Sequence, residues 1–379
     1  MKKTLLLTPG PTQIPADLCA ALGRPIIHHR TPQFQQVLKE VQQGLQYVLG
    51  TQSDVYLLAC SGTGTMEAAV CNLVSPGDKV ITVEGGKFGE RWTELCQVYG
   101  GDIRVVKVTW GKAAQAKQIK DLLDKEPDIK AVFVTLNETS TAVSTNIQAI
   151  AEVTRKTDAV LVVDAISGLG AMELKMDEWG ADVVASASHK GFMLPPGLGF
   201  VAVNEKAFKL VERCASPRYY FDFRKSKKAL AQTDTPFTPA IGIIIALAES
   251  LKKFREAGLD KMLAEYARLA QATRAAGQAL GMEAFPDAEC CSSALSALRV
   301  PAGVDGEKLV KIMRDTYGVT MAGGQDELKG KVVRIAHMGA IDEFDLLAGI
   351  GCLEKVLKQL GHKFAMGAGV KAAQEVLNA

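Results

Sequence analysis

The sequence has almost no excess of charge of either sign and no long apolar run. Its 379 residues include 44 Lys and Arg against 42 Asp and Glu, for a formal net charge of +2. Dedicated nucleic-acid binders and proteins that adhere to anionic membranes usually carry an excess of basic residues, so this balance argues against both classes. No stretch approaches the roughly 18 consecutive apolar residues of a membrane-spanning helix. We therefore expect neither nucleic acid nor a membrane among the partners of this protein.

Disulfide and zinc patterns are absent as well. The eight cysteines form no C-x-x-C pair and no Cys/His cluster at zinc spacing, which predicts reduced thiols and no metal site. The adjacent Cys290 and Cys291 are expected to pack as small apolar side chains, with a reactive thiol as the alternative. The opening apolar residues are interrupted by Pro9 and Pro11 before a signal-peptide core can form. These features predict a cytoplasmic location.

From about residue 54 to residue 200, short β-branched runs alternate with longer segments of helical period. This alternation predicts an α/β fold, in which a mostly parallel sheet of about seven strands is flanked by helices. The candidate strands are 55–60, 79–83, 103–108, 131–136, 160–163, 183–185 and 199–203.

The alternation of short strands and helices ends near residue 200. A polar stretch at 217–238 precedes a long helical run at 241–257, which Gly258 ends. Candidate strands at 294–300 and 331–336 and candidate helices at 306–317 and 344–360 then predict a smaller α+β domain. We therefore divide the chain into an N-terminal arm (1–20), a large domain (21–257) and a small C-terminal domain (258–379).

A turn rich in Gly, Ser and Thr separates the strand at 55–60 from a helix with an apolar stripe. Its central residues are Ser61, Gly62 and Thr63. The glycine lets the backbone bend tightly, and the free N–H groups at the helix start, together with the hydroxyls, suit a phosphate group. The turn matches neither Walker A nor G-x-G-x-x-G. A strand-to-helix turn without a ligand is the alternative.

Two charged residues follow later strands. Asp164 ends the strand at 160–163, and ligands in an open parallel sheet bind beyond the carboxyl ends of the strands. Its carboxylate could hold a ring nitrogen protonated, or it could cap a helix or lie in a solvated turn. Lys190 follows the strand at 183–185 in a nearly uncharged neighbourhood, where desolvation lowers the pKa of an amine and makes it nucleophilic. Such a lysine can form a Schiff base.

With these signals on one chain, the sequence resembles the class V branch of the fold-type-I pyridoxal-phosphate (PLP) enzymes. Within that branch it is similar to the alanine–glyoxylate, serine–glyoxylate and serine–pyruvate aminotransferases. The resemblance extends over nearly the whole chain and depends on a set of motifs: Leu-Thr-Pro-Gly-Pro-Thr (7–12), His-His-Arg-Thr-Pro-Gln-Phe (28–34), Ser-Gly-Thr-Gly (61–64), Val-Asp (163–164), Ser-His-Lys (188–190) and Val-Arg-Ile-Ala-His-Met-Gly (333–339). It implies a PLP-dependent aminotransferase whose large domain binds the cofactor.

The resemblance also implies roles for individual residues. Lys190 would form the Schiff base with PLP, and Asp164 would pair with the pyridinium nitrogen. Phe88 and Ile166 would enclose the ring, and Thr139 would lie near the phenolic oxygen. The phosphate would be held by Ser61, Gly62, Thr63 and His189 of one subunit and by Thr235 and Thr238 from the partner subunit of a homodimer.

The substrate is assigned to two further residues by the same resemblance. Arg334 matches the arginine that grips the substrate carboxylate, a task that suits a planar guanidinium because it binds two oxygens at once. Gly10 is placed in the same substrate-binding set. The implied reaction moves an amino group from alanine or serine to an oxo-acid such as glyoxylate or pyruvate. The sequence departs from the family at Ala142, where glycine is common. Trp92 is not assigned to the site and is expected to pack in the core.

Three alternatives remain open. An aspartate-using aminotransferase of the same family would need a second cation for the side-chain carboxylate, and Arg30 or Arg218 could supply it. A cysteine desulfurase would need a mobile cysteine nucleophile and commonly has a histidine where Phe88 stands. A non-catalytic subunit that keeps the fold as a scaffold, for example in a redox complex, would be expected to lose Lys190 or Asp164, yet both are present.

Overall fold

A computed structural model describes residues 4–379, so the first three residues of the predicted N-terminal arm lie outside the described part of the chain. The helices are α1 (Ala16–Leu22), α2 (Pro32–Leu49), α3 (Gly62–Leu73), α4 (Lys87–Val98), α5 (Ala116–Lys125), α6 (Ile147–Thr154), α7 (Met176–Trp179), α8 (Glu205–Arg213), α9 (Phe223–Leu230), α10 (Ile241–Ala257), α11 (Leu259–Ala279), α12 (Gly306–Tyr317), α13 (Glu343–Gln359) and α14 (Ala368–Leu377). The strands are β1 (Leu5–Leu6), β2 (Asp54–Leu58), β3 (Lys79–Glu84), β4 (Asp102–Lys107), β5 (Ala131–Thr135), β6 (Asn137–Glu138), β7 (Val143–Ser144), β8 (Val160–Asp164), β9 (Val183–Ala187), β10 (Gly199–Val203), β11 (Leu295–Arg299), β12 (Val319–Thr320), β13 (Ala322–Gly323) and β14 (Val332–Ala336). Two short 3₁₀ helices span Ala288–Cys290 and Asp326–Leu328.

Seven strands form the central sheet, in the order β2-β10-β9-β8-β5-β3-β4. Strands β4, β3, β5, β8 and β9 run parallel to one another, whereas β10 runs antiparallel to both of its neighbours, β9 and β2. The predicted mostly parallel seven-stranded sheet is confirmed, and the predicted strand ends agree with the observed ones within two residues. Because parallel strands end at one edge, the turns that follow β2, β5, β8 and β9 meet there.

Helices cover both faces of this sheet because its strands are apolar on both sides. In β8, Leu161 and Val163 belong to the core formed with α2 and α10, whereas Val160 and Val162 belong to the core formed with α3 and α4. All five residues of β8 are buried, as is typical of a central parallel strand. The carboxyl end of β8 is therefore the only part of this strand that can present a side chain to a ligand.

A smaller antiparallel sheet, in the order β11-β14-β13, lies in the C-terminal part of the chain. It packs with α11, α12, α13 and α14 in a third core, which also includes Leu5 and Leu7 from the N-terminal segment. Strand β1 pairs in parallel with β12 of this part. The N-terminal segment is thus attached to the C-terminal part, and it leads from there towards the edge of the central sheet.

Helices α9 and α14 are among those that the sequence did not indicate. Helix α9 lies inside the polar stretch at 217–238, and it begins where the Asp222 side chain accepts the N–H of Arg224. Helix α14 follows Gly367, whose φ is +85°. In α9 a capping residue, and not an apolar stripe, marks the start of the helix. Across residues 4–379 no helix is both long enough and apolar enough to cross a membrane.

Candidate active site

The side chain of Lys190 lies just beyond β9 and is almost completely buried, at 9% exposure. Its Nζ donates a hydrogen bond to the carbonyl oxygen of Pro9 at 2.8 Å. Burial lowers the pKa of Lys190 to about 8, although the nearby Asp164 opposes this shift. A larger fraction of this amine than of a surface lysine is therefore neutral, and hence nucleophilic, near neutral pH.

The N-terminal segment fixes both the backbone and the side chain of Lys190. The Thr12 hydroxyl donates to the Lys190 carbonyl at 2.8 Å, and the Thr12 N–H donates to the His189 carbonyl at 3.3 Å. Gly10 lies directly against the lysine side chain, since a Cβ at this position would be 2.2 Å from Nζ. Its φ of +147° is also rare for residues with a side chain. The structure therefore places Gly10 at the amine, where a side chain would displace the end of Lys190.

Asp164 is the last residue of β8 and is 3% exposed. Its Oδ1 accepts the N–H of Ile166 at 2.8 Å. Burial raises the pKa of Asp164 to about 7, with a smaller contribution from Glu138, while Lys190 and Arg91 oppose the shift. A cationic group next to this carboxyl would restore its ionised form. Asp164 is thus suited to hold a protonated ring nitrogen.

Ser61, Gly62 and Thr63 form the turn between β2 and α3. Helix α3 begins at Gly62, and Ser61 at its N-cap has extended backbone and no side-chain capping bond. A Cβ on Gly62 would lie 2.7 Å from Cδ1 of Ile166, so the turn and Ile166 approach each other closely. The first N–H groups of α3 carry the positive end of the helix dipole, which favours an anion at this turn.

These residues line a single cavity of about 250 Å³ at the carboxyl edge of the central sheet. The predicted residues that line it are Ser61, Gly62, Thr63, Phe88, Thr139, Asp164, Ile166, His189 and Lys190. Two lining residues, Arg91 and Ser167, were not singled out from the sequence. The structure thus brings together every predicted cofactor residue except the two assigned to a partner subunit.

His189 contributes a polar atom without a partner. Its Nδ1 is buried and has no hydrogen-bond partner within residues 4–379. Burial lowers the pKa of His189 to about 4, with a further contribution from Lys190, so the ring is neutral near neutral pH. An unpaired buried polar atom beside a cavity indicates that a ligand or solvent completes the site.

Phe88 lies in the first turn of α4, where a buried carboxylate fixes the backbone. Glu138 is 4% exposed, and its Oε2 accepts the N–H groups of Phe88 at 3.2 Å and Gly89 at 2.9 Å. Its Oε1 accepts the Ser140 hydroxyl at 2.5 Å. Burial raises the pKa of Glu138, and these donors oppose that shift. Glu138 escaped the sequence analysis, although its signal was a lone acid in an otherwise uncharged stretch after a buried strand.

The turn after β5 also carries Thr139 into the cavity. The Thr139 and Ser167 hydroxyls are 2.7 Å apart, and the Ser167 hydroxyl donates to the Asn137 carbonyl at 3.0 Å. Ala142, where the family commonly has glycine, adopts a φ of +61°, and its N–H donates to the Glu138 carbonyl at 2.8 Å. This chain therefore keeps the left-handed turn conformation with a residue that pays a steric cost for it.

The aromatic side chain four residues after Phe88 has a different role. Trp92 is fully buried, with its ring centroid 5.0 Å from that of Phe133 in the core between α4 and the sheet. This agrees with the expectation that Trp92 packs in the core.

Arg334 is the middle residue of β14. It is 7% exposed; its Nε donates to the Gly323 carbonyl and its Nη1 to the Thr139 carbonyl, each at 2.9 Å. Burial lowers the pKa of Arg334 to about 10, and Glu138 opposes the shift, so the guanidinium remains a cation. Arg334 does not itself line the cavity, but it is bonded to Thr139, which does.

Thr235 and Thr238 do not line the cavity of their own chain. The Thr235 hydroxyl donates to a main-chain carbonyl of its own loop at 2.9 Å, and Thr238 is exposed. The two arginines considered for a second carboxylate are already engaged. Arg218 donates to three main-chain carbonyls near the end of α8, and Arg30 forms an exposed ion pair with Asp234 at 3.1 Å.

The vicinal cysteines show no sign of activation. Burial raises the pKa of both Cys290 and Cys291, and neither thiol lines the cavity. All eight cysteines have free thiols. These observations agree with packing as small apolar side chains and do not support a cysteine nucleophile.

Comparison with known proteins gives a consistent result. The family model "Aminotransferase class-V" matches residues 13–338. A soluble hydrogenase small subunit from Synechococcus sp. is 40% identical over 99% of this chain and 99% of its own length. An L-aspartate–glyoxylate aminotransferase from Paracoccus denitrificans is 38% identical over 98% of this chain and 95% of its own length. The crystal structure of a ureidoglycine–glyoxylate aminotransferase from Bacillus subtilis superposes with a TM-score of 0.96 at 25% identity, covering 100% of this chain and 99% of that one.

Proposed function

The chain belongs to the class V aminotransferase family, and we propose that it moves an amino group from alanine or serine to glyoxylate. Membership of the family makes it a PLP-dependent transaminase. The observation that carries the site assignment is the convergence of a buried amine of lowered pKa, Lys190, and a buried carboxyl, Asp164, on one cavity. Glyoxylate is favoured as acceptor because two similar proteins are named for it, and pyruvate is the second acceptor we expect.

The cavity fits PLP on three observations. The turn from Ser61 to Thr63 offers free N–H groups and hydroxyls at a helix start, which suits a phosphate. The unpaired Nδ1 of His189 leaves one polar atom to be satisfied. The raised pKa of Asp164 matches a cationic ring nitrogen as its partner.

When bound, PLP supplies an electron sink for the electrons released at the substrate α-carbon. Lys190 would hold the cofactor covalently, Asp164 would keep its ring nitrogen protonated, and Phe88 and Ile166 would flank its ring. Once the substrate has displaced it, the Lys190 amine would take the proton from the substrate α-carbon and act as general acid and base. Arg334 would bind the substrate carboxylate.

The preference for a small donor is supported by the absence of an available second cation at Arg30 or Arg218. Both terminal nitrogens of Arg218 donate to main-chain carbonyls, and Arg30 forms an exposed ion pair with Asp234. An aspartate donor would need one of these groups to bind its side-chain carboxylate. Aspartate remains the second candidate donor, because one relative is named for it.

The scaffold alternative is not favoured. One relative carries the name of a hydrogenase subunit, which on its own would suit a non-catalytic role. A scaffold has no need of a buried amine, yet this chain keeps Lys190, Asp164 and the close approach of Gly10 to the amine. The family model and the aminotransferase names of other relatives support an enzyme.

We also propose a homodimer in which each subunit completes the other's phosphate site. Thr235 and Thr238 lie away from the cavity of their own chain, and the nearby Tyr219 and Tyr220 are 73% and 41% exposed. The Tyr220 ring stacks on Phe237 with centroids 5.1 Å apart, which forms a rigid apolar surface suited to an interface. Mixing Lys190→Ala subunits with Thr238→Arg subunits tests this arrangement, because only hybrid dimers would regain one intact site.

The domain division and the cytoplasmic location also remain proposals. The buried residues of the third core lie mainly after Tyr266, which supports a boundary near 257 and 258. The free thiols of the eight cysteines support a reducing compartment.

The substrate assignment is tested by a panel of amino acids against glyoxylate, pyruvate and 2-oxoglutarate. We expect alanine or serine with glyoxylate to give the highest kcat/KM, and the absorbance of the bound cofactor to change when the donor alone is added. A preference for aspartate would replace the donor assignment. A protein that binds no PLP would contradict the proposed function as a whole.

A further inference from the structure

We propose that Arg91 recognises the phosphate of PLP and supplies the positive charge which that group needs within this chain. The inference depends on the assignment of the turn from Ser61 to Thr63 to the phosphate, and it adds a residue that neither the sequence motifs nor the comparisons assign.

The phosphate of PLP needs a cationic partner in the cavity. A phosphate ester carries about −1.5 to −2 charges at neutral pH, and it is bound most strongly by cationic donors. Of the basic side chains on the cavity lining, His189 is neutral because burial lowers its pKa to about 4. Lys190 is assigned to the covalent link with the cofactor. Arg91 is the remaining cation on the lining.

The guanidinium of Arg91 lies between the phosphate turn and the Phe88 ring. Its Nη1 donates to the Thr63 hydroxyl at 3.2 Å, and its central carbon lies 4.9 Å from the centroid of the Phe88 ring. These contacts hold Arg91 between the aromatic ring and the phosphate turn. Since the Thr63 oxygen accepts a bond from Arg91, the Thr63 O–H is free to donate to a ligand in the cavity.

The positive charge of Arg91 has no acidic partner among residues 4–379. In the part of the chain that the structure describes, no carboxylate forms an ion pair with Arg91. Its charge acts on the catalytic groups, because it opposes the rise in the pKa of Asp164 and adds to the fall in the pKa of Lys190. An arginine with four unused donors beside a helix start is therefore available to bind an anion.

A purely structural role of Arg91 predicts a different effect on ligand binding. If Arg91 only supported the Phe88 ring, its loss would weaken the binding of any pyridoxal compound that stacks on that ring. If it binds the phosphate, its loss would weaken the binding of PLP but not the binding of pyridoxal, which has the same ring without the phosphate. The comparison of these two ligands therefore separates the two roles.

The test is a titration of cofactor-free protein with PLP and with pyridoxal, followed by absorbance. In Arg91→Gln we expect the dissociation constant of PLP to rise about tenfold or more, and that of pyridoxal to change by less than about twofold. Arg91→Lys should fall between wild type and Arg91→Gln because it keeps the charge without the planar fork. Arg255→Gln is the matched control, since Arg255 lies 4.9 Å from the Tyr47 ring and donates to the Gln43 carbonyl away from the cavity.

If Arg91→Gln lowers the affinity for PLP and for pyridoxal equally, or lowers neither, the proposal is overturned. The assignment of the turn from Ser61 to Thr63 to the phosphate would still stand. A wild-type protein that binds PLP no better than pyridoxal would overturn the phosphate turn itself, and the role of Arg91 with it. Inorganic phosphate provides a second measurement if Arg91→Gln fails to fold. It should compete with PLP in the wild type and compete more weakly in Arg91→Lys; equal competition in the two proteins would overturn the proposal.

Discussion

Replacing Asp164 by asparagine tests the electrostatics of the site without any cofactor. Burial raises the pKa of Asp164 from 3.8 to about 7 in the folded chain. The folded chain therefore holds a proton that the unfolded chain has already released between about pH 4 and pH 7, so the free energy of unfolding falls as the pH rises through this window. The slope is about 1.4 kcal/mol per pH unit. Asparagine does not titrate, so the free energy of unfolding of the variant does not fall in this way.

The comparison is cleanest in a Lys190→Ala background, where no cofactor is held covalently and the neighbouring amine does not titrate. Urea denaturation of Lys190→Ala and of Lys190→Ala with Asp164→Asn gives the two free energies of unfolding at pH 5 and pH 8. We expect the relative stability of the asparagine protein to increase by at least about 2.5 kcal/mol between these pH values, which is roughly two pH units of the slope, because loss of the Lys190 charge raises the pKa of Asp164 further. A constant difference, or one that shrinks as the pH rises, would refute the raised pKa and the need for a cationic partner at Asp164.

Three further predictions concern the amine, the substrate and one turn. Gly10→Ala places a Cβ 2.2 Å from the Lys190 Nζ, so PLP affinity in a titration should fall about tenfold or more, and unchanged affinity would show that the N-terminal segment is not held against the amine. Arg334→Lys can replace only one of the bonds to Gly323 and Thr139, so kcat/KM should fall at least about tenfold for every donor and acceptor. A changed preference among donors at an unchanged overall rate would instead assign Arg334 to the substrate side chain. Ala142→Gly relieves a φ of +61° but removes a buried methyl group, so the free energy of unfolding in urea denaturation should change by less than about 1 kcal/mol, whereas a loss of about 2 kcal/mol or more would mean that this turn is not strained.

The central sheet could be predicted because each of its strands is a short β-branched run with a clear boundary. The strand at 199–203 and the helices at 241–257 and 306–317 have the same ends in the structure as in the sequence analysis. The cavity residues could be selected because most of them follow a strand or begin a helix. At such positions the topology of a parallel sheet brings side chains from distant segments to one edge. Their individual roles stay predictions.

The residues that escaped the sequence analysis act through contacts between distant segments. Glu138 holds the backbone of Phe88 across a separation of 50 residues, and Arg91 reaches Thr63 across 28 residues. Neither contact leaves a periodic pattern in the sequence. Helix α9 was missed for a different reason, because its start is set by the capping side chain of Asp222 within a polar stretch.

The central claim is that the Lys190 amine carries PLP in this cavity, and covalent trapping tests it most directly. The protein is loaded with PLP, reduced with borohydride, digested and mapped by mass spectrometry, with Lys190→Ala as the matched control. The structure predicts the mass of the reduced cofactor on the peptide that contains Lys190 and no trapping in Lys190→Ala. Reduced cofactor on a different lysine, or equal trapping in the two proteins, would contradict the assignment of this cavity as the active site.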